Sequence, residues 1–240
     1  MRSHTLLTLG MATALGACAP ARLAVPAPLA SAPRLTVEGR QGDQRSPTLQ
    51  FGAWRVSDVR RSWVRGSGLD VRGGTIGLDL DRATQRYSFR VAEGSGGSWE
   101  AECRAAYRHD GVALPVGTLA TDEQGRLECR FAPASGPAWT LVTRQRFDRM
   151  PEGLLLAGED TLRVRGLDRF AGAVPTRGLQ VGWLLLAGEG PVAAVELPNG
   201  GAVWIDTPPN APYRRALGAV AAALLLHEDL REVMQRTSGG

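Results

Sequence analysis

From Leu49 onward, apolar and polar positions alternate over short runs separated by turn residues, the pattern of half-buried β-strands. Tyr87-Ser88-Phe89-Arg90-Val91 alternates cleanly, as do Trp99-Glu100-Ala101-Glu102-Cys103-Arg104-Ala105 and Leu127-Glu128-Cys129-Arg130-Phe131. Each run puts apolar side chains on one face and charged ones on the other. Further strands are predicted over 49–58, 61–66, 75–80, 138–146, 153–157, 161–165, 179–187, 191–197 and 202–206. Asp110-Gly111, Gln124-Gly125, Gly158-Glu159-Asp160 and Asn199-Gly200 are the predicted turns, and Asn-Gly between apolar strands is the strongest short hairpin signal. About a dozen strands result, enough to close a barrel. Leu154-Leu155-Leu156-Ala157-Gly158-Glu159 recurs as Leu184-Leu185-Leu186-Ala187-Gly188-Glu189, which reads as a duplicated hairpin or as chance in a Leu/Ala/Gly-rich chain.

The C-terminus breaks this pattern. A helix is predicted over 211–234, with Asn210 as N-cap and Pro212 in the first turn. Ala216–Leu226 has no polar side chain on any face, and a helix apolar all round must be surrounded by protein or lipid. The stretch is about 16 Å long, too short for a bilayer core of about 30 Å. It is therefore expected inside protein. The predicted fold is all-β with one buried C-terminal helix: a closed antiparallel barrel of about twelve strands around a central apolar helix. The alternatives are a lipocalin-like barrel with its helix outside, which calls for an amphipathic helix, and a β-sandwich with one packed helix. Strand 183–187 is apolar on both faces and 154–157 nearly so, which calls for a covering segment or a partner-binding patch.

About a dozen strands followed by a terminal apolar helix resembles, over residues 49 to 232, the tubby, LURP-one and phospholipid-scramblase fold, in which a barrel encloses such a helix. The likeness is one of architecture. Tubby domains bind phosphoinositides through basic surface residues, and that activity is not carried over because no matching motif is present.

The amino terminus carries Arg2 and then the apolar run Leu6 to Leu15, an export signal too short to span a membrane. It ends in Leu15-Gly16-Ala17-Cys18, which resembles the bacterial lipobox. The resemblance implies cleavage before Cys18, a diacylglyceride thioether on its sulfur and acylation of the new amino terminus, an anchor of two or more chains that holds stably. The competing reading is an ordinary secretory leader that contains a cysteine. Ala19, where an aspartate would favour inner-membrane retention, points to the outer membrane, with the domain in the periplasm or at the cell surface. Residues 19–48, rich in Ala, Pro, Arg and Gly, read as an extended tether holding the domain off the membrane. The expected organisation is signal peptide 1–17, lipidated cysteine and tether 18–48, and one β-barrel-like domain over 49–236.

Composition narrows the chemistry. The 240 residues carry a formal charge of +4. All 28 basic residues are arginines, spread along strands with no basic block, which argues against nucleic acid as partner. Cys103 and Cys129 each sit on the apolar face of an alternating strand, so a disulfide is expected in an oxidising compartment. A strand over 111–120 paired between them would hold them about 10 Å apart and prevent it, leaving two buried thiols; Pro115 argues against such a strand. The six tryptophans all fall on predicted strands, as core or as an aromatic platform for sugar.

The catalytic search singles out no residue. There is no G-x-S-x-G elbow, Walker loop or H-E-x-x-H, so no catalytic, cofactor-binding or metal residue is assigned. His109 is expected at a hairpin tip and His227 at the end of the core helix, both as structural residues. Gly188-Glu189-Gly190-Pro191-Val192-Ala193 matches a dinucleotide fingerprint in letters but precedes a strand, not a helix. The expected function is a non-enzymatic envelope lipoprotein, tied to the membrane through Cys18, that binds an envelope protein or lipid at its surface. The alternative is a carbohydrate-active or other hydrolase using a carboxylate pair.

Overall fold

The computed structural model describes residues 20–40, 48–73, 75–94, 97–115, 117–146, 149–176, 179–208, 211 and 213–238. The strands are β1 Leu35–Thr36, β2 Leu49–Phe51, β3 Trp54–Arg61, β4 Arg65–Gly73, β5 Ile76–Glu93, β6 Ser98–Leu114, β7 Gly117–Pro133, β8 Trp139–Arg146, β9 Glu152–Ala157, β10 Asp160–Leu167, β11 Gly182–Ala187, β12 Gly190–Glu196 and β13 Ala202–Ile205. Among the described residues three helices accompany them: α1 Ala27–Ala30, α2 Arg214–Leu226 and α3 Leu230–Ser238.

The strands form one antiparallel sheet in the order β1-β13-β12-β11-β10-β9-β8-β7-β6-β5-β3-β2, with β4 paired to β5 off this path. The two ends of the sheet nearly close on each other. Glu38, just past β1, exchanges backbone hydrogen bonds of 2.9 and 3.1 Å with Gln50 of β2. The result is a nearly closed twelve-strand barrel with β4 outside the ring. Because neighbouring strands alternate in direction, the connections alternate between two ends. The β9–β10 and β11–β12 turns lie at one end, termed upper; residues 168–181 and the β12–β13 turn lie at the lower end.

α2 fills the barrel. Every residue from Ala216 to Leu226 is buried, and the helix packs with Phe89, Cys129, Phe131, Leu141, Leu155, Trp183, Val195 and Val203 in one core. This is the home the apolar rod requires, because a full wall of inward side chains can keep all its sides dry. Small residues set how close the wall comes: a Cβ on Gly218 would stand 2.0 Å from Trp54 Nε1. The rod begins and ends differently from expectation. Its N-cap is Tyr213 and it stops at His227, whose backbone is extended; Asn210 and Pro212 lie outside the described residues. The predicted single helix over 211–234 is two helices, because Asp229 caps a second one, its Oδ1 accepting the Arg231 N–H at 2.9 Å.

β5, β6 and β7 run 17 or 18 residues each, far longer than the alternating runs suggested. The predicted turns at Asp110-Gly111 and Gln124-Gly125 are strand interior. Gly111 marks a register shift against β7, and Gly125 pairs with Tyr107 and Gln145. Arg82, Arg108 and Gln124 stand in one row with Arg146, where β8 ends. Below that row, β4 to β7 continue as a four-stranded blade beyond the lower rim. α3 packs on its inner face, where a Cβ on Gly66 would meet Met234 Sδ at 3.0 Å.

Of the segment expected as a free tether, the described residues 20–40 are part of the fold. Leu23 and Leu29 are buried with Val181, Leu184, Ala194, Ala202 and Trp204 in a second core on the outside of β11, β12 and β13. Backbone bonds tie Ala24 to Arg169 and Ala171 to Arg22 at 3.0 and 2.8 Å, and Asn199 Nδ2 donates to the Ala21 carbonyl at 2.7 Å. Glu196, fully buried, accepts the Leu23 N–H at 2.8 Å and Arg34 Nη2 at 3.0 Å. Pro26 and Pro28 allow the short turn of α1 but no longer helix. The two-faced apolar character of β11 is thereby explained: its inner face meets α2, its outer face the docked segment.

Candidate functional site

With the barrel interior occupied, concave surfaces lie at the lower mouth and on the outer wall. The mouth, about 950 Å³, opens where α2 leaves the barrel and is lined by Trp183, Leu225, His227, Arg40 and Gln180, with Arg236 from α3. Arg61 closes one side. Its side chain, 8% exposed, donates to the Leu226 carbonyl at 2.6 Å and to Gln85 Oε1 at 3.3 Å, and meets Glu228 at 3.4 Å. A guanidinium on the last carbonyls of a helix satisfies acceptors the helix itself leaves open. Arg61 also stacks over the Tyr87 ring at 5.4 Å, while burial pushes the Tyr87 phenol well up. His227 is half-buried, and the loss of water around its ring pushes its pKa down to about 4. Its Nδ1 and the Nε1 of Trp183 are sealed without a hydrogen-bond partner among the described residues.

The outer wall carries a second concavity of about 740 Å³ across β8 to β11. The register builds it row by row. Arg144, Glu152 and Arg165 pair across β8, β9 and β10, and the next row holds Val142, Leu154, Arg163 and Leu186. Arg146 and Arg149 stand at its lower edge, and Glu189 at its upper edge meets Arg163 at 2.7 Å. Five arginines against two glutamates surround a floor on which Leu154 is 42% exposed. Such a groove favours an anionic group joined to apolar surface, since the guanidinium forks grip oxyanions and the leucines gain from covering.

Cys103 and Cys129 stand directly opposite each other in the β6–β7 hairpin and are bonded, with Cα atoms 4.1 Å apart. No strand intervenes, because 111–114 belongs to β6 and 117–120 to β7. Cys18 lies outside the described residues. His109 is inside β6 and not at a hairpin tip, paired with Asp81 and Glu123. Five tryptophans are core, none above 8% exposed, whereas Trp63 falls between β3 and β4 and is 76% exposed. Gly188–Ala193 is a turn entering β12, and the two copies of the Leu-Leu-Leu-Ala-Gly-Glu echo occupy equivalent strand-to-turn positions in consecutive hairpins. Among the described residues no cluster of three His, Cys, Asp or Glu side chains could hold a metal. The arginine groove was not foreseen. Its sequence signal was arginine at alternate positions, 144 and 146 on β8 and 163 and 165 on β10, on either side of the leucine-rich β9, which becomes a surface once the register is known. Comparison with family models, with curated proteins and with solved structures finds no match to this chain.

Proposed function

We propose that the chain is a cell-envelope lipoprotein, acylated at Cys18, whose helix-filled barrel is a non-enzymatic module binding an anionic lipid in the arginine-rimmed groove. The lipobox-like Leu15-Gly16-Ala17-Cys18 supports the anchor, and Ala19 after it an outer-membrane position with the domain in the periplasm or at the cell surface. The likeness to tubby-type barrels rests on the strand-wrapped helix and brings no ligand with it. The observation that carries the binding reading is the groove itself, five guanidiniums around exposed leucine. The carboxylates at the core's edge support it from the other side. Glu196 is paired with Arg34, Glu228 with Arg61 and Glu123 with Arg231. Each faces an arginine, whereas a hydrolytic pair faces a second carboxyl across a cleft.

A photoreactive amino acid at Leu154, crosslinked in intact cells, tests this reading. The expected adduct carries an anionic phospholipid, and R144E/R165E lowers its yield about tenfold. A protein adduct would reassign the groove to a protein partner, and a yield unaffected by the charge reversal would remove the groove from binding altogether.

A further inference from the structure

The lower end of the molecule carries a feature the groove does not use. On the outer face of the blade, cross-strand register aligns Leu69 with Leu80, and Val71 with Leu78, Val112 and Leu119. Leu69, Val71, Ile76, Leu78 and Leu119 are 50 to 61% exposed. From Leu80 to Ile76 this apolar band runs about 13 Å along the strand at about 3.3 Å per residue. Immediately above it stand Arg82 and Arg108, both ion-paired to Asp110. A contiguous apolar face under a charged row is the profile of a surface that leaves water.

The chain's amino terminus meets the barrel at the same end. Ala21 and Arg22 are pinned to Asn199 and Ala171, in the two lower connections. Only two residues separate Ala21 from Cys18, a reach over three Cα steps of at most about 11 Å. The blade extends from the level of Gln124 to Gly117, about 23 Å beyond the rim. With the strands along the bilayer normal, an acylated Cys18 at the bilayer surface holds Ala21 within about 11 Å of lipid, and a blade reaching about 23 Å beyond the rim then passes the surface by about 12 Å, close to the height of the apolar band.

We propose that the tip of the β4–β7 blade inserts its outer apolar face into the lipid leaflet that holds Cys18, so that the barrel is gripped at two points and held in one orientation. The proposal rests on the lipid-anchor reading. It replaces the picture of a domain swinging on a long tether, because residues 21–38 are docked on the wall.

The test uses the full acylated protein in vesicles of phosphatidylethanolamine and phosphatidylglycerol that carry nitroxide-labelled acyl chains. With Cys103 and Cys129 bonded and Cys18 acylated, a cysteine introduced as L78C or S135C is the one free thiol for a fluorophore. Ser135 is exposed between β7 and β8 at the upper end. Insertion predicts about twofold or greater quenching at position 78 and none at 135. Mass spectrometry of the N-terminal peptide separates the two readings. An acylated Cys18 with an unquenched position 78 overturns insertion alone, and an unacylated Cys18 overturns the anchor and insertion with it. Crosslinking of position 78 to position 78 of a second copy, without quenching, would make the face a contact between copies and also overturn insertion.

Discussion

Tyr87 Oη donates a 2.9 Å hydrogen bond to the carbonyl of Ala223, joining the barrel wall to the helix inside it. Both residues are buried. The same carbonyl also accepts the His227 N–H at 2.9 Å, so the wall bonds to the turn at which the helix ends. Tyr87→Phe keeps the ring under Arg61 and removes this bond together with the weak 4.0 Å contact of the hydroxyl with Cys129 Sγ. It is expected to destabilise the protein by about 1 kcal/mol, read as a lower urea midpoint at unchanged slope. An unchanged midpoint would mean that the wall does not grip the helix here.

Gly218 offers a sharper steric test. On helix propensity alone, Gly to Ala inside a helix should stabilise by up to about 1 kcal/mol. Here the added methyl would collide with Trp54 at 2.0 Å from Nε1 and 2.3 Å from Cδ1. Gly218→Ala is therefore expected to destabilise by about 2 kcal/mol, and Trp54→Phe in the same chain should return part of that loss. Thermal unfolding of the two single variants and the double variant measures the coupling. A raised Tm for Gly218→Ala would contradict the fit of helix to wall.

His227 gives the fold a pH dependence of defined sign. Its ring is neutral in the folded protein down to a pKa of about 4, against about 6.5 in the unfolded chain. Between these values the unfolded chain binds the extra proton. Stability is thus fully present above pH 6.5 and falls as pH drops towards 4, by up to about 2 kcal/mol at pH 5. His227→Gln should flatten this part of the profile in urea titrations at pH 7.5 and pH 5. An equally steep fall in the variant would assign the effect to other groups.

Fold class was legible because the apolar face of each strand and the all-apolar rod are local signals. Cys103 and Cys129 lay on alternating runs, and Ala216–Leu226 had nowhere wet to point. Strand length was not legible. Asp110-Gly111 and Gln124-Gly125 carry turn chemistry, yet long-range pairing of β6 with β5 and β7 overrides it. The docked segment was missed for a related reason. Its two buried leucines, Leu23 and Leu29, are too sparse to show a period among prolines, and their burial depends on the outward faces of Leu184, Ala194 and Trp204. The apolar outer face of 183–187 pointed to a covering segment without saying which. The groove and the blade depend on register, which a single sequence leaves open.

The central claim is that the wall encloses α2 on all sides. Native-state hydrogen exchange of the full chain tests it most directly. Amides of Ala219–Leu226 are predicted to exchange only through global unfolding, at rates shared with the core of β6 and β7, whereas those of α3 open far earlier. Exchange over 219–226 as fast as over α3 would contradict the enclosed helix and the account built upon it.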